Sequence, residues 1–367
     1  MSSILRSASS NHPGCEEIGS TDIGLSNDEL LSRAAGKADR NRDNNRADLT
    51  ADALPQNTRP MLVTVAICSW NRSGLLRKTL EQFTHLEPPN GFDWELLVVD
   101  NNSTDETPAV LEEFTARLPL RPLREPLPGK SNAANRAVRE ARGEYILWTD
   151  DDVLIEPDWV RQYVGAFRSH PDADVFGGRI DPWFEGTPPR WLVEGFAAVA
   201  GVYAALDLKR PGGAAPESFY PFGANMALKR SAHLRHAFDP RIGPQADAYI
   251  PGEEWMLVRA LRRAGSQVVW VPEASVRHFI PRARQTETYV RDWFYSSGEL
   301  LAKMDTERGL GLWFGRPLWL WREWVEHGCR AQFGRFTSPP ERWLKSLALS
   351  ATAWGRLRNY QREISLH

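Results

Sequence analysis

The chain has 367 residues, with 45 Lys or Arg against 47 Asp or Glu and a formal net charge of −2. This near-balance excludes the strong basic excess typical of nucleic-acid-binding proteins, so no nucleic-acid partner is expected. Three widely spaced cysteines with no C-x-x-C pair exclude a disulfide scaffold and a cysteine zinc site. The longest apolar stretch, residues 196–206, is about half the length of a membrane span.

The first 59 residues contain no Phe, Trp or Tyr and are rich in Ser, Asn, Asp, Arg and Ala. Such a composition cannot bury enough apolar surface to offset the entropy of ordering, so residues 1–59 are predicted to form a disordered N-terminal tail. No secretory signal is visible at the amino terminus, and the cytoplasm is therefore the expected compartment.

From Met61 onward, apolar strand-like runs alternate with helical patterns. The runs MLVTVAIC, WELLVVD and EYILWTDDDV have the continuous apolar character of strands that are buried on both faces. The segments LLRKTLEQFTHL, NNSTDETPAVLEEF and SNAANRAVREARG between or beside them have helical spacing. This alternation predicts an α/β fold with a parallel sheet. Ligands of such sheets bind beyond the carboxyl ends of the strands, where Ser69, Asp100 and Asp150 stand.

The alternation weakens after about residue 174. VFGGRIDPWF, FYPFGANMALKR and QVVWVP are predicted to be strands, and GEEWMLVRALRRAG is predicted to be a helix that stops at a glycine. Beyond Arg284 the sequence is rich in Trp and Arg and predicts helices.

Three consecutive carboxylates, Asp150, Asp151 and Asp152, end a predicted buried strand. Adjacent carboxylates repel one another unless a cation or water neutralises them. Alternate residues of an extended segment point to the same side, so Asp150 and Asp152 could share one ion. Hard oxygen ligands suit Mg²⁺ or Mn²⁺. The alternative is that the triplet caps a helix or faces solvent.

Asp100 and Lys130 are further candidates for nucleotide contacts. Asp100 ends a buried strand and could accept a hydrogen bond from a base or a ribose, although the following polar residues could simply cap a helix. The tripeptide Gly129-Lys130-Ser131 resembles the end of a phosphate loop, but Arg124 replaces the glycine that a Walker A loop requires. A lysine before a helix can still meet a diphosphate, and a solvated lysine is the alternative.

Two glutamates and one histidine complete the set of candidates. Glu253 and Glu254 begin a predicted helix, where the helix dipole favours acidic residues whatever their function. As a catalytic base, either would have to lie within hydrogen-bond reach of a substrate hydroxyl. His278 follows a predicted strand and is either a structural histidine or a metal ligand.

Taken in order, these segments resemble the motifs of family 2 glycosyltransferases with the GT-A fold, over about residues 63–278. The segments that carry the resemblance are VTVAICSWNRSGLLRKTLEQ, LLVVDNNSTDET, PGKSNAANRAV, ILWTDDDV, PFGANMALKR, PGEEWMLVRALRRAG and VPEASVRH. The resemblance implies a Rossmann-like, mostly parallel sheet flanked by helices. The implied catalytic domain covers residues 60–283, with a nucleotide-binding half (60–155) and an acceptor-binding half (156–283). A helical extension over residues 284–367 follows it.

The resemblance also implies a role for each candidate. The nucleotide contacts would be Cys68, Trp70, Arg72, Asp100, Lys130, Asn132, Asn135, Asp150 and Asp151. The metal would be bound directly by Asp152, with Asp150 and His278 completing the site. Glu254 would be the catalytic base. The family usually has Asp after Glu at this point, so Glu253 is the alternative.

The implied reaction moves a sugar from a nucleotide-diphosphate sugar, expected to be a UDP-sugar, to an acceptor hydroxyl with inversion. The acceptor would be a glycan or lipid-linked glycan in surface polysaccharide biosynthesis, and the cofactor would be Mn²⁺ or Mg²⁺. No Q-x-x-R-W signature is visible, so a processive synthase is not expected. The alternatives are a sugar-nucleotide-binding protein without catalysis and a nucleotidyltransferase, for which SWNRSG only loosely supplies the required glycine-rich loop.

The positive charge and tryptophans of the C-terminal extension predict peripheral contact with anionic lipid at the inner face of the plasma membrane. The alternative is that the tryptophans pack on the catalytic domain and the arginines are solvated.

Overall fold

The structure is a computed structural model that describes residues 61–87, 92–244, 249–304 and 312–360. The predicted disordered tail, residues 1–59, lies outside the described residues. The described strands are, in chain order, β1 (Met61–Ser69), β2 (Phe92–Asp100), β3 (Leu120–Arg124), β4 (Tyr145–Trp148), β5 (Val153–Ile155), β6 (Ala173–Phe184), β7 (Gly213–Ala214), β8 (Met226–Lys229), β9 (Gly243–Pro244), β10 (Tyr249–Ile250), β11 (Gln267–Ile280), β12 (Leu312–Trp313) and β13 (Arg316–Pro317).

Helices follow most of these strands. The α-helices are α1 (Ser73–Phe83), α2 (Thr107–Thr115), α3 (Lys130–Glu140), α4 (Trp159–Ser169), α5 (Arg190–Glu194), α6 (Arg230–Arg235), α7 (Glu253–Arg263), α8 (Glu287–Met304), α9 (Leu318–Thr337) and α10 (Pro340–Asn359). Short 3₁₀ helices cover Phe196–Ala198, Ala200–Tyr203, Gly223–Asn225 and Arg282–Arg284.

The main sheet has the strand order β3-β2-β1-β4-β8-β6-β11-β5, and β7 pairs with β11. Strands β3, β2, β1 and β4 are mutually parallel, which confirms the predicted parallel sheet. Strand β8 runs antiparallel to both β4 and β6, and β6 and β11 are parallel to each other. In the parallel half, β1 lies between β2 and β4. The chain therefore continues from β1 to β2 and β3 on one side of β1 and returns to β4 on the other side. A crevice forms at the carboxyl ends of strands that diverge in this way.

Helices cover both faces of the sheet, which explains the continuous apolar run of β1. Val63, Val65 and Ile67 on one face pack in a core that includes α1, α2 and α4. Ala66 on the other face packs in a core that includes α3 and α7. Because both faces are buried, a polar side chain anywhere in residues 63–67 would be desolvated. Thr64 is the one polar residue in this stretch.

The helices α8, α9 and α10 confirm the helices that the sequence predicts for the C-terminal part, and α10 packs against both α8 and α9. Helices α8 and α10 cross at Gly298 and Gly355. A Cβ atom on Gly298 would lie 2.2 Å from the carbonyl oxygen of Thr352, so the close approach of the two helices requires glycine there. Trp343 and Leu344 of α10 pack in an apolar cluster with residues of α5 and α8. Within the described ranges, no helix is both long enough and apolar enough to cross a bilayer.

Candidate active site

A cavity of about 1020 Å³ opens at the carboxyl ends of β1 and β4. Its polar wall is formed by residues that follow β1 and β4, by the first turn of α7, and by His278 on β11. Its apolar wall is formed by the 3₁₀ segments around residues 197–206, by residues 219–222 and by one face of α8. The cavity therefore joins a charged side to an aromatic and aliphatic side.

The three aspartates that follow β4 lie in two different environments. Ligand atoms of Asp150, Asp152 and His278 all lie within 4.8 Å of one another. Asp151 turns away from this group, and its two carboxylate oxygens accept hydrogen bonds from Ser69 Oγ at 2.7 Å and Arg72 Nη1 at 3.0 Å. Asp150 and Asp152 thus face one point, as alternation in an extended segment leads us to expect.

Asp152 has one satisfied and one unsatisfied carboxylate oxygen. Its Oδ2 accepts a hydrogen bond from Arg72 Nη1 at 2.9 Å, whereas its buried Oδ1 has no hydrogen-bond partner among the described residues. Buried polar atoms are rarely left in this state, because the lost hydration costs free energy. A divalent cation at this point would supply the missing partner.

His278 has the orientation of a metal ligand. Its Nδ1 lies 2.9 Å from the carbonyl oxygen of Tyr203 and donates a proton to it, so in the neutral ring Nε2 presents its lone pair to Asp152. Metal-binding histidines are commonly oriented by such a hydrogen bond on the other ring nitrogen. Two carboxylates and one imidazole form a donor set that fits a divalent cation such as Mn²⁺.

The pKa values of these groups show that the site attracts positive charge. Burial opposes ionisation of His278, but the neighbouring Asp152 carboxylate outweighs it and raises the pKa of the imidazole. Burial and the charge of Asp152 raise the pKa of Asp151 to about 6, although Arg72 and Ser69 oppose the shift. Carboxylates this close to one another favour a bound proton or cation between them.

Lys130 connects the aspartates with α7. Its Nζ lies 2.9 Å from Asp150 Oδ1 and 3.5 Å from Glu254 Oε1. Burial opposes the charge of Lys130, but Asp150 and Glu254 outweigh it and raise the pKa of the ammonium well above its usual value. Lys130 is therefore a charged group in the wall of the cavity, between the aspartates and the first turn of α7.

The two glutamates at the start of α7 differ in their surroundings. Glu253 is only 6% exposed, and its Oε2 accepts a hydrogen bond from the backbone N–H of Gly252 at 3.2 Å. Burial, followed by the charge of Glu254, raises the pKa of Glu253 to about 8, so this carboxyl is mostly protonated at pH 7. Glu254 faces the cavity beside the charged Lys130.

Three predicted nucleotide contacts at the end of β1 and just after it line the cavity: Cys68, Trp70 and Arg72. Trp70 is 52% exposed and offers a free aromatic face at the rim. Burial raises the pKa of the Cys68 thiol to about 12, so Cys68 is a neutral part of the wall.

Three other predicted contacts are not brought to the cavity in the described structure. Asp100 Oδ1 accepts a hydrogen bond from the backbone N–H of Ser103 at 2.8 Å. Asn135 exchanges two hydrogen bonds with the backbone of Phe238, at 2.9 and 3.0 Å. Asn132 donates to the carbonyl oxygen of Pro128. In this structure all three side chains bond to nearby backbone.

The sequence reasoning did not identify several residues that do line the cavity. These are Arg284, Tyr289 and Trp293, which belong to the segment assigned to the C-terminal extension. Ser69, which the sequence predicts at this edge of the sheet, positions Asp151. Tyr289 and Trp293 stand four residues apart on α8, a spacing that places both on one face of a helix. This spacing indicates that the two aromatic side chains share a face of the helix, but nothing in the sequence shows which part of the protein that face contacts.

Comparison with known proteins agrees with this geometry. The family described as "Glycosyl transferase family 2" matches residues 64–235. The succinoglycan biosynthesis protein ExoM of Rhizobium meliloti (strain 1021) is 23% identical over 264 residues, which cover 71% of this chain and 79% of that protein. A beta-monoglucosyldiacylglycerol synthase of Nostoc sp. is 30% identical over 110 residues, 29% of this chain and 23% of that synthase.

Among solved structures, a mannosyltransferase from Pyrobaculum calidifontis in complex with GDP-Man and Mn²⁺ superposes with a TM-score of 0.53 at 17% identity. The superposition covers 82% of this chain and 88% of the mannosyltransferase. The shared architecture and the sequence match define an enzyme of the glycosyltransferase class with the GT-A fold. Over residues 64–235 the chain is similar to glycosyltransferase family 2.

Proposed function

We propose that this enzyme transfers a sugar from a nucleotide-diphosphate sugar, with UDP as the expected nucleotide, to an acceptor hydroxyl with inversion at the anomeric carbon. The proposed acceptor is a glycan or a lipid-linked glycan in polysaccharide or glycolipid biosynthesis, and the proposed compartment is the cytoplasm. The names of the relatives, a succinoglycan biosynthesis protein and a glycolipid synthase, support this class of acceptor.

One observation carries the proposal. A single cavity contains a cluster of two carboxylates and one imidazole with an unsatisfied Asp152 oxygen, and it also contains a carboxylate on α7, Glu254. Transfer from a sugar diphosphate needs both parts, one to stabilise the departing diphosphate and one to accept the acceptor's proton.

In the proposed mechanism, Asp152, Asp150 and His278 are the residues that would hold a divalent cation, Mn²⁺ or Mg²⁺. Bound there, the cation would supply Lewis-acid stabilisation to the diphosphate leaving group. Arg72, Cys68 and Trp70 bind the nucleotide on the β1 side of the cavity.

Glu254 takes the proton from the acceptor hydroxyl as the oxygen attacks the anomeric carbon from the opposite side. The Lys130 Nζ lies 3.5 Å from Glu254 Oε1 and helps to position this carboxylate. Glu253, which is mostly protonated at neutral pH, serves as a neutral support beneath it.

The test is calorimetric titration of the purified protein with UDP, GDP and dTDP, each with and without Mn²⁺, on the wild type and on Asp152→Asn. We expect metal-dependent binding of UDP that the variant loses. Binding of GDP or dTDP in place of UDP would be consistent with a transferase but would change the expected donor nucleotide.

A second assay, release of nucleoside diphosphate from the matching sugar nucleotide, separates a transferase from the alternatives. Binding without turnover would indicate a non-catalytic sugar-nucleotide-binding protein. Release of pyrophosphate would indicate a nucleotidyltransferase. Absence of any metal-dependent nucleotide binding would contradict the proposal.

A further inference from the structure

The outward face of α9 carries a row of large apolar side chains. Leu318, Val325, Phe333 and Phe336 are 51%, 54%, 70% and 80% exposed. At about 100° of rotation per helical residue, these four side chains fall within about 80° of one another around the helix axis. We call this row the outer stripe.

The opposite face of α9 is the one that joins the protein. Leu320 and Ala331 on that face are buried, and the Trp324 ring stacks on Trp354 of α10 with 4.7 Å between centroids. A Cβ atom on Gly334 would lie 3.0 Å from Trp343 Cβ, so the two helices are in close contact there.

The outer stripe is therefore not needed to dock α9 on the protein. A surface helix normally has a polar outward face. Isolated exposed apolar residues are common, but four that are aligned on one face of a helix mark a contact surface.

Two aromatic side chains extend the patch at the amino-terminal end of α9. Trp313 ends β12 and Phe314 begins the turn to β13, and the two are 51% and 75% exposed. Their ring centroids are 4.7 Å apart. Exposed Trp and Phe beside an apolar helix face are typical of segments that enter the interfacial region of a bilayer.

Positive charge surrounds the patch. Residues 312–360 contain eight Arg or Lys against three Glu, although the whole chain carries a net charge of −2. The side chains of Arg322 and Arg330, on α9 itself, are 82% and 60% exposed, and both share the single carboxylate of Glu326. This surface therefore attracts anionic partners, while the rest of the chain is net negative.

We propose that the outer stripe, with Trp313, Phe314 and the flanking arginines, binds the headgroup region of an anionic lipid bilayer. Helix α9 lies along the membrane plane, with the apolar side chains inserted among the acyl chains and the guanidinium groups at the phosphates. The proposal does not depend on the proposed function, because none of these residues lines the cavity.

Charge favours a bilayer over a second copy of the chain as the occupant of this surface. In a twofold dimer the same patch would face itself, which would bring the arginines of both copies together. Like charges at such short range are destabilising, whereas an anionic headgroup layer neutralises them.

The experiment is co-sedimentation with vesicles of phosphatidylcholine alone or of phosphatidylcholine mixed with phosphatidylserine. We expect the wild type to sediment with the phosphatidylserine vesicles at low salt. The double variant Phe333→Glu/Phe336→Glu removes two apolar anchors and adds two negative charges, so its partition coefficient should fall at least about 10-fold. Arg322→Glu/Arg330→Glu should also weaken binding and reduce its dependence on salt.

Leu234→Glu is the matched control, because Leu234 is an apolar residue of α6 that is also half exposed, at 50%. This control should bind vesicles as the wild type does, and all variants should retain the wild type's nucleotide affinity if they are folded. Failure of the wild type to sediment, or equal binding by the Phe333/Phe336 double variant, overturns the proposal. A concentration-dependent dimer that the same double variant abolishes would assign the patch to a second copy instead.

Discussion

The Nε2 atom of His278 lies 3.4 Å from Oδ1 of Asp152, and this buried oxygen has no hydrogen-bond partner among the described residues. Nδ1 of the same ring donates to the carbonyl oxygen of Tyr203, so when the imidazole is neutral its Nε2 presents a lone pair to a carboxylate oxygen. Two acceptors that face each other in a buried site need a proton or a cation between them. This pair is therefore the part of the site that is most sensitive to a metal.

The variant His278→Ala should lower the affinity for Mn²⁺ by at least about 10-fold, since one of three ligands and its oriented lone pair are removed. The measurement is Mn²⁺-dependent UDP binding by calorimetry, together with the Mn²⁺-dependent rise in melting temperature. His85→Ala, at an exposed histidine after α1, is the control and should behave as the wild type does. Unchanged metal dependence in His278→Ala would remove His278 from the metal site.

The variant Glu254→Gln should keep nucleotide binding and lose turnover by about 10²- to 10⁴-fold, the usual contribution of a general base. The amide has nearly the same shape but cannot accept a proton. Donor affinity from calorimetry and initial rates of nucleoside-diphosphate release with the wild type's sugar nucleotide give the two readouts.

Glu253→Gln is the matched comparison for Glu254→Gln. Because Glu253 is already mostly protonated at neutral pH, its conversion to an amide should have a much smaller effect on turnover. If Glu253→Gln is the inactive variant and Glu254→Gln retains activity, the two glutamates have the opposite roles.

The variant Gly223→Ala tests whether the position of the Glu254 carboxylate matters. Gly223 lies outside the left-handed region of the backbone, but a Cβ atom there would approach Glu254 Oε1 to 2.5 Å. The glutamate is the flexible partner, so we expect its carboxylate to move while the backbone stays in place.

For Gly223→Ala, turnover should therefore fall by at least about 10-fold with little change in donor affinity or melting temperature. Gly165→Ala is the control, since a Cβ on that glycine of α4 meets no atom within 4 Å. Wild-type turnover in Gly223→Ala would show that the observed position of Glu254 is not the one that catalysis requires.

The parallel half of the fold was predictable from the sequence because its strands are buried on both faces. A run such as that of β1 needs no long-range information to be recognised, and the polar residues that follow it must lie at one edge of the sheet. The approach of Asp150 to Asp152 likewise follows from the geometry of an extended chain.

Other parts depend on contacts between segments that are far apart in the sequence. Strand β3 contains Pro122 and alternates in burial, which a sheet tolerates only at its edge, and the strand order decides that β3 is an edge. The hydrogen bonds of Asn135 go to Phe238, 103 residues away. Nothing local to Asn135 shows that its side chain is engaged there.

The stability of the fold should depend on pH through Glu253. Burial raises its pKa from 4.5 to about 8 in the folded protein, so between these values the folded state holds a proton that the unfolded state has released. The contribution of Glu253 to the free energy of unfolding is therefore largest below pH 4.5. It decreases between pH 4.5 and about 8 and is constant at higher pH. Glu253→Gln removes the ionisation and therefore the decline.

The free energy of unfolding of Glu253→Gln, relative to the wild type, should accordingly increase from pH 5 to pH 8 by about 2 kcal/mol or more, since each unit of raised pKa corresponds to about 1.4 kcal/mol. Urea denaturation at several pH values measures the difference. Glu112→Gln, at an exposed glutamate of α2, controls for the loss of one charge and should show a smaller change. A Glu253→Gln variant whose stability parallels that of the wild type across this range would mean that Glu253 ionises in the folded protein at its ordinary pKa.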